Sequence, residues 1–270
     1  MPHIALTPAS PLVFITGASS GIGQALAWRF HQAGYRLALV ARRTAEVQKW
    51  VSACGISASS YAIYSADVSD TDSIAIAGAA CITQQGLPDV VIANAGISVG
   101  MDTGVRGDID VMAQTFATNN IGLAATFHPF IAGMELRKTG ALVGIASVAG
   151  IRGLPGHGAY CASKAAVIAY CESLRGEMRA ATGKNGVKVV TIAPGYIDTP
   201  LTQGNSYSMP FLMQVKDFAD QAFKAVQDGT SYRVIPWQMG AVAKLLRLLP
   251  NWLFDIALSG RPRKKRRTDA

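Results

Sequence analysis

Six short apolar runs, each followed by a helix-length segment, set most of what this chain can fold into. They are Leu12-Val-Phe-Ile-Thr16, Leu37-Ala-Leu-Val-Ala41, Tyr61-Ala-Ile-Tyr64, Asp89-Val-Val-Ile-Ala93, Ala141-Leu-Val-Gly-Ile145 and Val187-Lys-Val-Val-Thr-Ile192. Most lack polar/apolar alternation, so both faces of the sheet must be covered. Strands separated by helices pair in parallel, through right-handed crossovers. The fold class expected is α/β: a doubly wound parallel β-sheet with helices on both faces, in a single domain. Tyr232 to Ile235 adds a final strand.

The end of the chain reads differently. Residues 237–258 are strongly apolar but contain Lys244, Arg247, Pro250 and Asp255. Three charges and a proline argue against a membrane span. Two short amphipathic helices broken at Pro250 fit better. The organisation expected is therefore a domain over 1–236, an apolar helical extension over 237–260 and a disordered basic tail over 261–270.

Charge is concentrated in that tail. Of the net +8, the last ten residues hold +5, leaving +3 for the other 260. A nearly neutral body points away from nucleic acid. Cys54, Cys81, Cys161 and Cys171 form no CxxC and no Cys/His cluster, so no disulfide frame and no metal site is expected. Free thiols suit a reducing cytoplasm. Residues 1–10 hold no Lys or Arg and are interrupted by prolines, so no signal peptide is expected.

The first run ends in Thr16-Gly-Ala-Ser-Ser-Gly-Ile-Gly23. Glycines between a strand and a helix let backbone approach a ligand closely, and the helix start offers N–H groups to a pyrophosphate. The spacing is GxxxGxG, not GxGxxG. Gly17, Ser19, Ser20, Gly21, Ile22 and Gly23 are the candidate phosphate-binding residues of a Rossmann-like nucleotide site. At the end of the second run an acid would bind the ribose 2′-OH of NAD, whereas an arginine suits the 2′-phosphate of NADP. Here Ala41 stands in the acid's place and Arg42-Arg43 follow, so NADP(H) is the expected cofactor.

Tyr160-Cys-Ala-Ser-Lys164 begins a helical stretch, and residues four apart share a helix face. An ammonium beside a phenol lowers its pKa and makes it a proton donor and acceptor. Ser147, Asn94-Ala95-Gly96 and Pro194-Gly195-Tyr-Ile197-Asp-Thr199 each follow a strand, at the sheet edge where such folds bind ligands.

Together, TGASSGIG (16–23), Asp67-Val68, Asn94-Ala-Gly96, Asn119, Ser147, YCASK (160–164) and PGYIDT (194–199) resemble the short-chain dehydrogenase/reductase family, over about residues 11 to 236. The resemblance implies Tyr160 as general acid/base and Lys164 as the group that lowers its pKa and holds the nicotinamide ribose. It implies Ser147 as the carbonyl-orienting hydroxyl, and Asn119 as the residue fixing a helix distortion and a water linking Lys164 to solvent. Asn119 is preferred to Asn120 because Gly122 follows it by three. Asp67 and Val68 would meet the adenine; Ile197 and Thr199 would meet the carboxamide. Asn94, Ala95, Gly96, Pro194 and Gly195 complete the cofactor set. Ala93 departs from the family, many members of which have another Asn there.

The ending resembles members acting on hydrophobic ketones. Leu201, Tyr207, Met209, Pro210, Phe211, Leu212 and Met213, in a substrate loop over about 199–213, are apolar. Residues 200–213 hold no cation for an anionic substrate. The activity expected is NADPH-dependent reduction of a hydrophobic ketone, lipid- or steroid-like, to a secondary alcohol. The alternatives are a 3-oxoacyl thioester reductase and a non-catalytic NADP-sensing protein. The expected partners are a small hydrophobic carbonyl or alcohol substrate and a second copy of the chain. The family's dimer face, near 108–135 and 158–182, here includes Gly158, Ala159, Ala162, Ala165, Ala166 and Ala169. A tetramer is the alternative, and no nucleic acid is expected. The apolar helices would cover the substrate cleft or a subunit interface, with the basic tail merely solvated; peripheral contact of helices and tail with an anionic membrane is the other reading.

Overall fold

Along β1 (Leu12–Thr16) every residue is buried, and alternate side chains enter different cores. A computed structural model describes residues 10–203, 208–260 and 263–266. Val13 and Ile15 join one cluster with α1 (Gly21–Gln32), α2 (Thr44–Ala53) and α8 (Val215–Gln227). Leu12 and Phe14 join another with α3 (Thr71–Gln85), α5 (Gly122–Arg137) and α6 (Gly158–Thr182). That two-sided burial is the reason the runs do not alternate. Each fully buried Leu, Ile or Phe contributes about 1.5–3 kcal/mol.

The remaining strands are β2 (Arg36–Ala41), β3 (Tyr61–Ser65), β4 (Val90–Ala93), β5 (Ala141–Ile145), β6 (Lys188–Pro194) and β7 (Tyr232–Ile235). All pair in parallel, in the order β3-β2-β1-β4-β5-β6-β7. The order reverses at β1, whose neighbours are β2 and β4. A crevice opens there at the carboxyl ends of the strands. Asp70 caps α3 by accepting from the N–H groups of Asp72 and Ser73, both at 3.1 Å. Between α4 (Arg106–Phe116) and α5, residues 117–121 form a π-helical turn.

After β7, α9 (Trp237–Leu248) and α10 (Asn251–Leu258) bury Met239, Phe254 and Leu258. Trp237, Leu245, Leu248, Trp252 and Ile256 stay exposed. Among the described residues no helix is long and apolar enough to cross a membrane. Arg152, on the loop after β5, holds the two helices together. It donates to the carbonyls of Leu246 and Leu249 and, at 3.1 Å, to Asn251 Oδ1; its guanidinium lies 3.8 Å from the centre of the Phe254 ring. These bonds satisfy carbonyls that the end of α9 leaves unpaired.

The sequence reading leaves the tail disordered. Residues 263–266 lie instead along the loop after β4. Gly100 donates its N–H to the Lys265 carbonyl at 3.2 Å, Arg263 pairs with Asp102 at 3.1 Å, and Arg266 grips Asp108 with bonds of 2.7 and 3.2 Å. Tail residues 261, 262 and 267–270 fall outside the described residues, as do residues 1–9 and Tyr207 of the substrate loop.

Candidate active site

The crevice holds a cavity of about 510 Å³. The expected cofactor residues line it, with one exception: Gly23. A Cβ on Gly23 would sit 2.2 Å from the Gly17 carbonyl oxygen, so this glycine allows the loop to fold on itself. Gly17 has φ +71°, and a Cβ there would lie 2.8 Å from Asn94 Nδ2. Ser20, at the N-cap of α1, makes no capping side-chain bond, and the first turn contains no acid. Its N–H groups and positive dipole end therefore suit a diphosphate. These features fit a dinucleotide.

Asn94 has a second job besides lining the cavity. Its amide donates to the Thr16 carbonyl at 2.9 Å and to that of Gly17 at 3.4 Å. It braces the glycine loop while lining the cavity. Thr16, which the motif reading passes over, completes this brace: its Oγ1 accepts from the backbone N–H of Asn94 at 3.1 Å.

At the far end, β2 finishes with buried Ala41. Arg42 reaches Asp67 at 3.3 Å and Arg43 donates to Ser19 Oγ at 3.2 Å. Partial burial opposes ionisation of Asp67, but bonds from Ser69 and the charge of Arg42 outweigh it and hold the carboxyl below its usual value. Val68 is buried, with its carbonyl packed against Gly122; a Cβ on Gly122 would come within 2.6 Å of that oxygen.

The catalytic candidates converge at the ends of β4, β5 and β6. Lys164 is buried on α6 and donates to the Ile145 carbonyl at 2.8 Å. Its Nζ is 5.9 Å from the centre of the Tyr160 ring. Burial pushes its pKa down to about 8. Ser147 hydrogen-bonds the Tyr160 phenol, accepts from the Ala149 N–H at 3.1 Å and donates to the Pro194 carbonyl at 3.5 Å. Asn119 sits within the π-helical turn. It accepts from the Ile97 N–H at 2.8 Å and donates to the Ile97 carbonyl at 3.0 Å and to Ser163 Oγ at 2.9 Å. Ser163 in turn donates to the Tyr160 carbonyl at 2.8 Å. The turn thus positions the start of α6 through a serine that the motif leaves unspecified.

One expectation is reversed. Spacing predicts a tyrosine lowered by Lys164, but burial dominates and raises the phenol. The bond to Ser147 works the other way without overcoming it. Ile197 and Thr199 are buried beside the opening. Thr202 Oγ1 donates to the Ile197 carbonyl at 2.6 Å and accepts from the Thr199 N–H at 3.1 Å, which fixes the entry to α7 (Pro200–Gln203).

A second cavity, of about 170 Å³, adjoins the first. Its floor is Ser147 and Tyr160, which line both cavities. Its walls include Leu154, Tyr196, Leu201 and Pro210, and α9 and α10 contribute Met239, Val242, Leu246 and Phe254. The extension therefore covers the cleft. Within the substrate loop Met213 turns into the main core, while Phe211 and Leu212 are exposed. Among the described residues no cluster of His, Cys, Asp and Glu could hold a metal.

The sequence of residues 11–209 matches the model of the short chain dehydrogenase family. The chain belongs to the short-chain dehydrogenase/reductase family. It is 36% identical over 246 residues to an uncharacterized oxidoreductase of Myxococcus xanthus, covering 90% of this chain and 94% of that protein. It is 30% identical over 274 residues to dehydrogenase/reductase SDR family member 7B of Mus musculus, covering 95% and 83%. Two solved structures share the fold. A short-chain dehydrogenase/reductase from Burkholderia phymatum in complex with NAD has a TM-score of 0.79 at 23% identity, over 92% of this chain and 95% of that one. ElxO with NADP bound has a TM-score of 0.75 at 22% identity, over 84% and 97%.

For a short-chain dehydrogenase/reductase, the least foreseeable part of this site is its cover. Arg152, His157 and Lys264 line the second cavity, and none belongs to a family motif quoted above. The absence of a cation from residues 200–213 does not extend to the whole cavity, whose lining residues include Arg152 and Lys264. The apolar-helix pattern was the available signal for the cover; nothing in the local sequence marks the Arg152 contacts.

Proposed function

We propose that this oxidoreductase uses NADPH to reduce a ketone on a hydrophobic small molecule to a secondary alcohol. The observation that carries the reading is the shared floor: Ser147 and Tyr160 line both the dinucleotide-sized crevice and the apolar cavity beside it. A carbonyl resting there meets a donor hydroxyl from each. NADPH, when bound, supplies a hydride to the carbonyl carbon and leaves oxidised. Tyr160 gives its phenolic proton to the carbonyl oxygen, and Ser147 orients that oxygen and stabilises its developing charge. At neutral pH the phenol is protonated, as the acid role requires. Lys164, held through the Ile145 carbonyl, lines the crevice and would hold the nicotinamide ribose. A sensor that binds dinucleotide without chemistry has no use for a donor pair on the shared floor.

The preference for NADPH rests on Arg42, Arg43 and Ser19 beside an Ala41 that offers no carboxylate. Drawing Arg42 from Asp67 costs little, since exposed ion pairs are worth about 0–1 kcal/mol. The test is cofactor affinity, NADPH beside NADH, on wild type and Arg42→Ala. Wild type should prefer NADPH, and the variant should lose about 10- to 100-fold of that preference, the scale of a charge-assisted contact. Equal binding by wild type, or a preference for NADH, would overturn the cofactor assignment.

A further inference from the structure

Helix α9 is apolar on two faces, and the cavity above Tyr160 uses only one. At about 3.6 residues per turn, Met239, Val242 and Leu246 share a face, and all three line that cavity. Trp237, Ala241, Leu245 and Leu248 share the other face and are exposed. Leu248 is 81% exposed and Trp237 69%, so neither belongs to the core. On α10, Phe254 and Leu258 are buried, while Trp252 and Ile256, also four apart, are exposed. A helix face turned to water is normally polar, and exposed apolar patches mark interaction sites. We propose that the outer faces of α9 and α10 dock on an anionic lipid bilayer. This surface does not depend on the reductase reading.

Charge selects the partner. Residues 237–270 hold eight basic and two acidic side chains, +6 of the chain's +8. Helix α9 contains no acid. Its Lys244 and Arg247 lie on one flank, between the two apolar faces. From there their stems can cover apolar surface while their heads reach phosphate headgroups. Lys244, Arg247 and Lys265 are exposed, and among the described residues none of the three forms an ion pair. The strap, tied to Asp102 and Asp108, keeps the basic segment at the border of the same cavity as α9.

The aromatic residues agree with a lipid partner. Tryptophan concentrates at the headgroup level, where its amphipathic ring meets both phases, and Trp237 and Trp252 place one on each helix. A second copy of the chain fits less well. A symmetric pair would set this patch against itself, and with it the same positive charge.

The patch is continuous with the mouth of the cavity. Leu201 and Val242 line the cavity and are also exposed, so they form its rim. Phe211 and Leu212 are exposed next to Pro210, which lines it. A bilayer against the outer faces of α9 and α10 would therefore lie beside an apolar opening. Binding of this kind draws on buried apolar area together with attraction to anionic lipid, and both are supplied by the same two helices and the segment that follows them.

The test sediments the full chain with vesicles of phosphatidylcholine alone or with about 30% phosphatidylserine. Wild type should bind the anionic vesicles about tenfold or more tightly than the neutral ones, and the difference should shrink as salt rises. Lys244→Gln with Arg247→Gln should weaken anionic binding about 10- to 30-fold. Leu245→Gln with Leu248→Gln should weaken it about tenfold or more. These positions are exposed, and an unchanged thermal midpoint checks the folding of each variant. Lipid brominated in its acyl chains should quench tryptophan fluorescence, and Trp237→Phe with Trp252→Phe should remove most of the quenching. Binding to neither vesicle would overturn the proposal. Equal binding to both would overturn the anionic partner. Binding that the leucine pair leaves unchanged would also overturn it, because the tail alone would then carry the contact. Self-association in solution that the leucine pair abolishes, without vesicle binding, would give the face to a second copy instead.

Discussion

The two sides of the shared floor are built by different means. On the dinucleotide side the walls come from the ends of β1, β2, β4, β5 and β6, with Asn94 and Thr16 bracing the glycine loop. Position there follows from strand register, which the buried core on both faces fixes. On the substrate side the walls are loops, two helices and a strap. They are held by Arg152 across 97 residues of sequence and by Arg266 across 158. The first side is set by the fold and shared with the family. The second is built from segments outside the sheet, tied on by a few side-chain contacts. On the proposed reading, specificity resides in the attachment and chemistry in the sheet edge.

The largest effect should come where the two sides meet. Tyr160→Phe removes the proton donor and leaves the ring, so both walls keep their shape. We expect kcat to fall about 10²- to 10⁴-fold, with NADPH affinity within about threefold of wild type by fluorescence titration. Retention of most of the turnover would move the proton donor elsewhere and deprive the floor of its role.

The next effect belongs to the dinucleotide side alone. Lys164 is buried and titrates at about 8 instead of 10.5. Between those values the unfolded chain binds a proton that the folded chain does not. Wild-type stability from this group therefore rises with pH across the window, by up to about 3 kcal/mol. Lys164→Met removes the burden, so at pH 7 the variant should be more stable than wild type by up to that amount, less the lost bond to Ile145. The gain should shrink towards pH 10.5. Urea melts of both proteins at pH 7 and 10 measure it, and taking their difference cancels the other titrating groups. A variant less stable than wild type at pH 7 would mean that Lys164 supports the fold instead of straining it.

The same division explains what could be read in advance. Strand runs, the glycine loop and the Tyr160–Lys164 spacing are local patterns, with periods that physics ties to one geometry. Of the residues they single out for the cofactor, all but Gly23 line the crevice. The Gly122 spacing that selects Asn119 is local too, and the structure puts a π-helical turn there. Arg152 could not be read, because its partners lie about a hundred residues away and its neighbours look like ordinary loop. The same holds for the strap. Six basic residues near the terminus read as a solvated tail until Asp102, Asp108 and Gly100 are seen against residues 263–266. The Tyr160 phenol was misread for a related reason. Spacing gives the ammonium nearby but not the burial, and burial decides the direction of the shift.

The smallest effect is the sharpest test of whether the two sides are separable. Arg152→Leu keeps an apolar stem against Phe254 but removes the donors that satisfy the end of α9. Hydrogen bonds from a charged group are worth about 1.5–3 kcal/mol, and here the loss should be local. Hydrogen exchange should quicken over 237–258, while β1, β4 and β5 keep their protection. KM for a hydrophobic ketone should rise about tenfold, with kcat and NADPH affinity within about twofold of wild type. If the central strands lose protection together with the cover, the extension is part of one cooperative unit with the sheet. Specificity would then not be free to vary independently of the fold. If the cover alone loosens, the sheet edge and its attachment are distinct layers, and substrate preference is set where the chain ends.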